Sequence, residues 1–242
     1  MGAAAASRFQ HWVTETLQTK PRCRVVFAAA PSQDEFFNSL IGEAQAAADL
    51  WRRVDVFHMD DYVGLGDDRP EVFRNYIRRH FIDHVPTGSF QPMRGAATDG
   101  VAEAVRYAGL LATAPIDVIA MGIGENGHVA FNDPPVANFS DPVLAKVVEL
   151  DESCRQQQVN DGCFPALSEV PRFAITITLP AFARASALCC IVPGIRKAQA
   201  VKAALLDPIS PECPATILRT HRRAALFLDR DAASLLPAEL RS

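Results

Sequence analysis

MGIGENGHVAFNDPP, residues 121–135, is the stretch from which the rest of the chain can be read. It follows the apolar run Ile116–Met121. It then packs three glycines, one histidine and two carboxylates into about one loop. Glycine takes positive φ at little cost, so this composition suits a sharp turn at the end of a buried strand. In open α/β sheets, ligands bind beyond the C-terminal ends of the strands. Glu125, Asn126, His128 and Asp133 gathered there read as an active-site loop, held against a core by apolar Val129–Phe131. The plain alternative is a glycine-rich turn carrying a surface histidine, and the clustering of polar groups favours the site.

Around this loop, strand and helix patterns alternate. Ala3–Leu17 reads as a helix ended by Pro21, and Arg24–Ala30 (RVVFAAA) as a central strand buried on both faces. Ser32 and Glu35 have the spacing of a capping box for a helix over Phe36–Leu50, which makes a helix N-terminus available to an anion. Val54–Met59 is the second strand. It ends at the adjacent carboxylates Asp60 and Asp61, which open a loop running through Gly64 and Gly66 to Pro70. Helices are predicted over Glu71–Val85 and, started by Thr98-Asp99, over Gly100–Thr113, with a loop at Thr87–Ala97 between them. Further strands fall at Ile116–Met121, Leu144–Leu150, Phe173–Leu179, Ala187–Val192 and Ala224–Asp229. A helix start is read at Pro180, a short helix over Pro214–His221 and a tail helix or coil over Ala232–Leu240. The amide-rich segment Asp151–Phe164 reads as surface. Lys197 lies on the first turn of a helix over Arg196–Leu206. A cation is disfavoured there by the helix dipole unless an anion shares the terminus.

This order predicts an α/β fold in three layers, a Rossmann-like, mostly parallel sheet with helices on both faces and right-handed connections. No repeat or linker interrupts it, so residues 1–242 are expected to form a single domain. A chain this long can bury roughly three quarters of its unfolded surface. The net charge of −4 and the absence of a basic stretch argue against nucleic acid as a partner. No run reaches ~18 apolar residues and the N-terminus has no apolar leader core, so no membrane is expected. Gly2 fits an acylation pattern only loosely. The six cysteines form neither a CxxC pair nor a zinc spacing. A cytoplasmic protein is the expectation.

FHMDDYVGL (Phe57–Leu65) and GIGENGHVAFNDP (Gly122–Pro134) resemble the two signature loops of the glucosamine-6-phosphate deaminase/isomerase family, which is related to the 6-phosphogluconolactonases. The resemblance runs from the strand at Arg24 to that at Ala224, and its GHxAFN core points to the amino-sugar-phosphate branch. It implies ring opening, proton transfer between C2 and C1, and release of ammonia to leave a ketose phosphate, with no metal or organic cofactor. Asp60 matches the proton-transfer base and His128 the ring opener. Glu125, Asn126 and Asp133 surround the histidine. The expected substrate- and phosphate-binding set is Ser32, Gln33, Asp61, Gly124, Gly127 and Lys197. The implied partner is a small phosphorylated amino sugar, and a homo-oligomer is left open.

The sequence departs from the family pattern at three places. Asn126 stands where an Asp is usual, with Glu125 as a substitute acid. Asp133 is one methylene shorter than the usual Glu, which lengthens its reach to His128 by about an ångström unless the loop shifts. Ala28–Gln33 keeps a hydroxyl and a helix N-terminus but lacks the usual phosphate-loop glycines. The usual arginine of the 151–164 segment has no counterpart in register: Arg155 is nearby, and Gln157, Gln158 or Asn160 stands in its place. Two other readings stay open at this point, a sugar-lactone hydrolase using His128 and a non-catalytic sugar-phosphate binder.

Overall fold

The computed structural model describes residues 1–97 and 99–241. Thr98, expected at a helix start, lies outside them. Helix α1 (Gly2–Thr19) leads into β1 (Cys23–Phe27). A 3-10 turn at Pro31–Gln33 opens α2 (Asp34–Ala46), followed by the short α3 (Ala48–Trp51). Next come β2 (Val54–His58), β3 (Asp60–Tyr62), α4 (Phe73–Ile77), β4 (Ser89–Gln91) and α5 (Gly100–Ala112). The second half runs β5 (Val118–Met121), β6 (Ala145–Glu149), α6 (Glu152–Asn160), β7 (Phe173–Ile177), α7 (Leu179–Arg184), β8 (Ala187–Val192), α8 (Ala198–Leu206) and β9 (Ala224–Leu228).

Six strands form one parallel sheet in the order β4-β2-β1-β5-β8-β9. Strands β1, β5 and β8 are buried at every position, as expected of interior parallel strands, and Arg24 of β1 is the one charged residue in them. Successive side chains point to opposite faces, and the core divides accordingly. Val25 and Phe27 pack with Phe9 of α1 and with Phe36 and Phe37 of α2. Val26, Ile119 and Cys190 pack on the other side with Tyr107 of α5 and Val201 of α8. The three-layer α/β arrangement follows from this alternation.

The strands read at 144–150 and 173–179 do not join the main sheet. They instead form a separate antiparallel sheet, β3-β7-β6. Met59 joins the two sheets: its N–H donates to Phe27 O at 3.2 Å and its carbonyl accepts from Ile177 N at 2.8 Å. The capping box does not form either. Gln33 precedes α2 without a side-chain cap, and Glu35 accepts from Gly2 N at 3.2 Å. Asp99 does cap α5, accepting from Val101 N and Ala102 N at 3.0 Å each.

Along the main sheet, strand order reverses between β1 and β5. Such a reversal splays the connections to opposite sides and leaves a crevice at the strands' C-terminal ends. Among the described residues, no helix is long and apolar enough to cross a membrane.

Candidate active site

A cleft lies at this reversal. It is lined by the loops that follow β1, β2, β5 and β8, joined by α6.

Asp60 enters the cleft immediately after the crossing at Met59. Its side chain is 6% exposed and accepts no hydrogen bond among the described residues. Burial, and after it the charge of Asp61, hold its pKa well above the usual carboxylate range. Asp61 points the other way, as the pleat demands. It is fully buried, accepts from Tyr62 N at 2.9 Å and Phe73 N at 3.0 Å, and pairs with Arg74 Nη1 at 2.9 Å. Burial raises its pKa to about 6. Its expected role in substrate binding is therefore corrected: Asp61 does not reach the cleft and instead ties β3 to the start of α4.

His128 is set by its own loop. Gly124 N donates to His128 O at 2.9 Å, and Gly127 N donates to Gly124 O at 3.0 Å. A Cβ on Gly124 would lie 2.1 Å from His128 Cε1, so the imidazole can rest there only against glycine. Gly127 has φ +85° and leaves no room beside Cys213 Sγ, 2.7 Å from where its Cβ would sit. Gly127 shapes the loop from behind and does not line the cleft.

The imidazole Nδ1 lies 2.7 Å from Asn126 Oδ1 and 3.0 Å from Asp133 Oδ1. Asn126 in turn donates Nδ2 to Asp133 Oδ1 at 3.0 Å and to Ser153 Oγ at 3.2 Å. The amide oxygen must then face the histidine. Both neighbours of Nδ1 are acceptors, so Nδ1 carries the proton of the neutral ring and Nε2 keeps its lone pair. The shorter side chain of Asp133 is no obstacle, because the loop brings it into contact. Burial opposes ionisation of Asp133, but the hydrogen bond and charge of His128, with Asn126, hold its pKa below the usual value. Glu125, expected as the substitute acid, turns away. Its carboxylate pairs with Arg196 Nε at 3.3 Å, and only its N–H faces α6, donating to Gln157 Oε1 at 2.9 Å.

The loop after β1 supplies Ser32 and Gln33 to the cleft. Gln33 is buried and donates Nε2 to Ile191 O at 3.2 Å and to Ser32 Oγ at 3.3 Å. Tyr76 OH donates to Ala30 O at 2.8 Å, which braces a loop short of glycine. Opposite, Gly194 at φ +94° turns the chain into the 3-10 turn Ile195–Lys197. Lys197 lines the cleft at 8% exposure. Burial lowers its pKa, and Asp161 and Glu125 oppose that shift.

Gln157, Gln158 and Asp161 also line the cleft, although their segment reads as surface from sequence. Gln158 accepts from Tyr62 OH at 2.9 Å, and Gln157 reaches Asp161 Oδ2 at 3.3 Å. Arg155 is not a cleft residue: its guanidinium donates to Leu167 O and Val170 O at 2.7 and 2.9 Å.

Comparisons with known proteins agree with the two signature loops. Residues 1–227 match the family described as glucosamine-6-phosphate isomerases/6-phosphogluconolactonase. A glucosamine-6-phosphate deaminase of Geobacillus sp. (strain WCH70) is 31% identical over 228 residues, 93% of this chain and 89% of its own. One of Bacillus cereus (strain G9842) is 36% identical over 183 residues, 76% of this chain and 68% of its own. The solved structure of a monomeric glucosamine-6-phosphate deaminase matches with a TM-score of 0.88 at 28% identity, covering 97% of this chain and 95% of that one. The 6-phosphogluconolactonase of Trypanosoma brucei shares the fold, with a TM-score of 0.74 at 18% identity over 98% and 96% of the two chains. This chain belongs to the glucosamine-6-phosphate isomerase/6-phosphogluconolactonase family.

Proposed function

We propose that the chain is an amino-sugar-phosphate deaminase/isomerase. It takes glucosamine 6-phosphate, or a related hexosamine phosphate, and water to a ketose phosphate plus ammonia. The observation that carries this reading is that a buried, unpartnered Asp60 carboxyl and an imidazole with a free Nε2 line one cleft.

His128 Nε2 takes the proton of the C1 hydroxyl and returns it to the ring oxygen, which opens the ring. Asp133 supports the positive charge the imidazole carries in between, and Asn126 fixes the tautomer. Ionised Asp60 then removes the C2 proton beside the carbonyl and delivers it to C1, while a proton of the C2 amino group passes to O1. A carboxylate with a raised pKa is the stronger base for that step. The imine left at C2 adds water and loses ammonia. Lys197 and Ser32, with the loop N–H groups that open α2, hold the phosphate. No metal or organic cofactor enters this scheme.

A lactone hydrolase would need the histidine but would leave Asp60 without a task. A mere sugar-phosphate binder would not need an imidazole poised on a carboxylate. The six free thiols fit a reducing, cytoplasmic setting. The test is ammonia release from glucosamine 6-phosphate and galactosamine 6-phosphate by the wild type and by Asp60→Asn. Turnover that Asp60→Asn retains in full would sink the assignment of the base.

A further inference from the structure

We propose that His128, Asp133 and Cys154 form a seat for a thiophilic divalent cation such as Zn²⁺, and that its occupation switches the active site off. The seat builds on the catalytic reading of His128 above. Sequence spacing hides it, because the thiol comes from α6 and the other two groups from the loop after β5. One ligand atom from each lies within 4.8 Å of the other two. His128, Asp133 and Cys154 are 8%, 1% and 1% exposed. Asp133 Oδ2 is fully enclosed without a nitrogen or oxygen donor among the described residues, and the Cys154 thiol is the group beside the carboxylate. An imidazole, a carboxylate and a thiolate are the donors zinc prefers, at about 2.0–2.3 Å each. His128 Nδ1 and Asp133 Oδ1 are already 3.0 Å apart, close to the edge of a tetrahedral site, so any closing needed falls to the sulfur.

The proton balance explains why occupation would be inhibitory. A cysteine thiol must lose its proton to ligate a metal. Metal binding forms the sulfur–metal bond and releases that proton to solvent. The metal also takes the lone pair at Nδ1, so the single proton of the neutral imidazole moves to Nε2 with no net loss. Nε2 is the nitrogen needed as the ring-opening base, and once protonated it can no longer serve.

Titration of the whole protein with Co²⁺ tests the seat without reference to activity. Expected is a thiolate-to-cobalt absorption that saturates at one equivalent, is displaced by Zn²⁺ and is absent in Cys154→Ser. Expected with it is Zn²⁺ inhibition of ammonia release that chelation reverses and that Cys154→Ser, still active without metal, escapes. No thiolate band with cobalt in excess overturns the seat, as does a band that persists in Cys154→Ser. A band without inhibition overturns the switch. If Cys154→Ser does not fold, the wild-type cobalt titration decides alone, with Cys163→Ser as the control that must keep the band. Loss of the deaminase reading would appear separately, as no ammonia from the metal-free wild type.

Discussion

Asp60 sits where ionisation is resisted, first by burial and then by the Asp61 charge. Its folded-state pKa is raised, so the folded protein binds more protons than the unfolded one above the ordinary carboxylate value. The resulting destabilisation grows as pH rises through the unfolded pKa and is complete above the folded one. Asp60→Asn should therefore raise Tm at pH 7 and leave it nearly unchanged at pH 4, as scanning calorimetry can check. The same variant should lose about 10²–10⁴-fold in ammonia release, since a positioned base contributes that much. The wild-type rate should fall on acidification already above the ordinary carboxylate range, as Asp60 is protonated. Lys197→Met should raise KM for the phosphorylated substrate by at least about tenfold, the cost of one lost charge-assisted contact, with a smaller change in kcat. Asp60, His128 and Lys197 were legible because their types and places match the family's loops. The cleft faces of Gln157 and Gln158 were not, since a run of amides has no periodicity that separates a wetted helix face from a buried one. Glu125 misled for a related reason: sequence adjacency to His128 does not give side-chain direction, and Arg196 claims the carboxylate.

At the scale of elements, β3 matters most. Asp60-Asp61-Tyr62 reads as the start of a loop, because two acids and a nearby glycine carry little strand propensity. Pairing with β7 overrides that local signal, with Asp60 opposite Thr176 and Tyr62 opposite Ala174. The result is a two-sided strand that turns one carboxylate to the cleft and the other to Arg74. Asp61→Ala should cost roughly 3–5 kcal/mol, because it strands a buried guanidinium and several N–H donors, and urea unfolding measures this. The fraction that folds should keep its KM, since Asp61 lies outside the cleft. Glu71–Val85 was predicted as one helix, whereas α4 passes into a π-helical turn at Arg78–Ile82. Wider turns of this kind are commonly found near functional sites. Here Tyr76, one turn earlier, braces the loop after β1.

Across the whole molecule, the middle of the parallel sheet was legible from the apolar runs of β5 and β8, whose burial on both faces leaves no polar positions. The second sheet was not, because antiparallel pairing between strands far apart in sequence leaves no mark on any one of them. One face of the main sheet rests on a cluster of rings around Phe27, whose neighbours Phe9, Phe36, Phe37 and Phe81 lie 5.1–6.3 Å away. Phe27→Ala should cost about 3–5 kcal/mol by cavity formation, read as a lower urea midpoint at unchanged slope. The same strand end carries the loop that faces His128, so core and site share one support. The reaction itself is tested most directly by incubating the enzyme with glucosamine 6-phosphate in D₂O and following ammonia and the sugar by NMR. Expected are equal amounts of ammonia and fructose 6-phosphate, with deuterium at C1 in the fraction of turnovers where Asp60 exchanges with solvent, and both products formed about 10²–10⁴-fold more slowly by Asp60→Asn. A folded wild type that releases no ammonia from either hexosamine phosphate, yet hydrolyses 6-phosphogluconolactone, would contradict it.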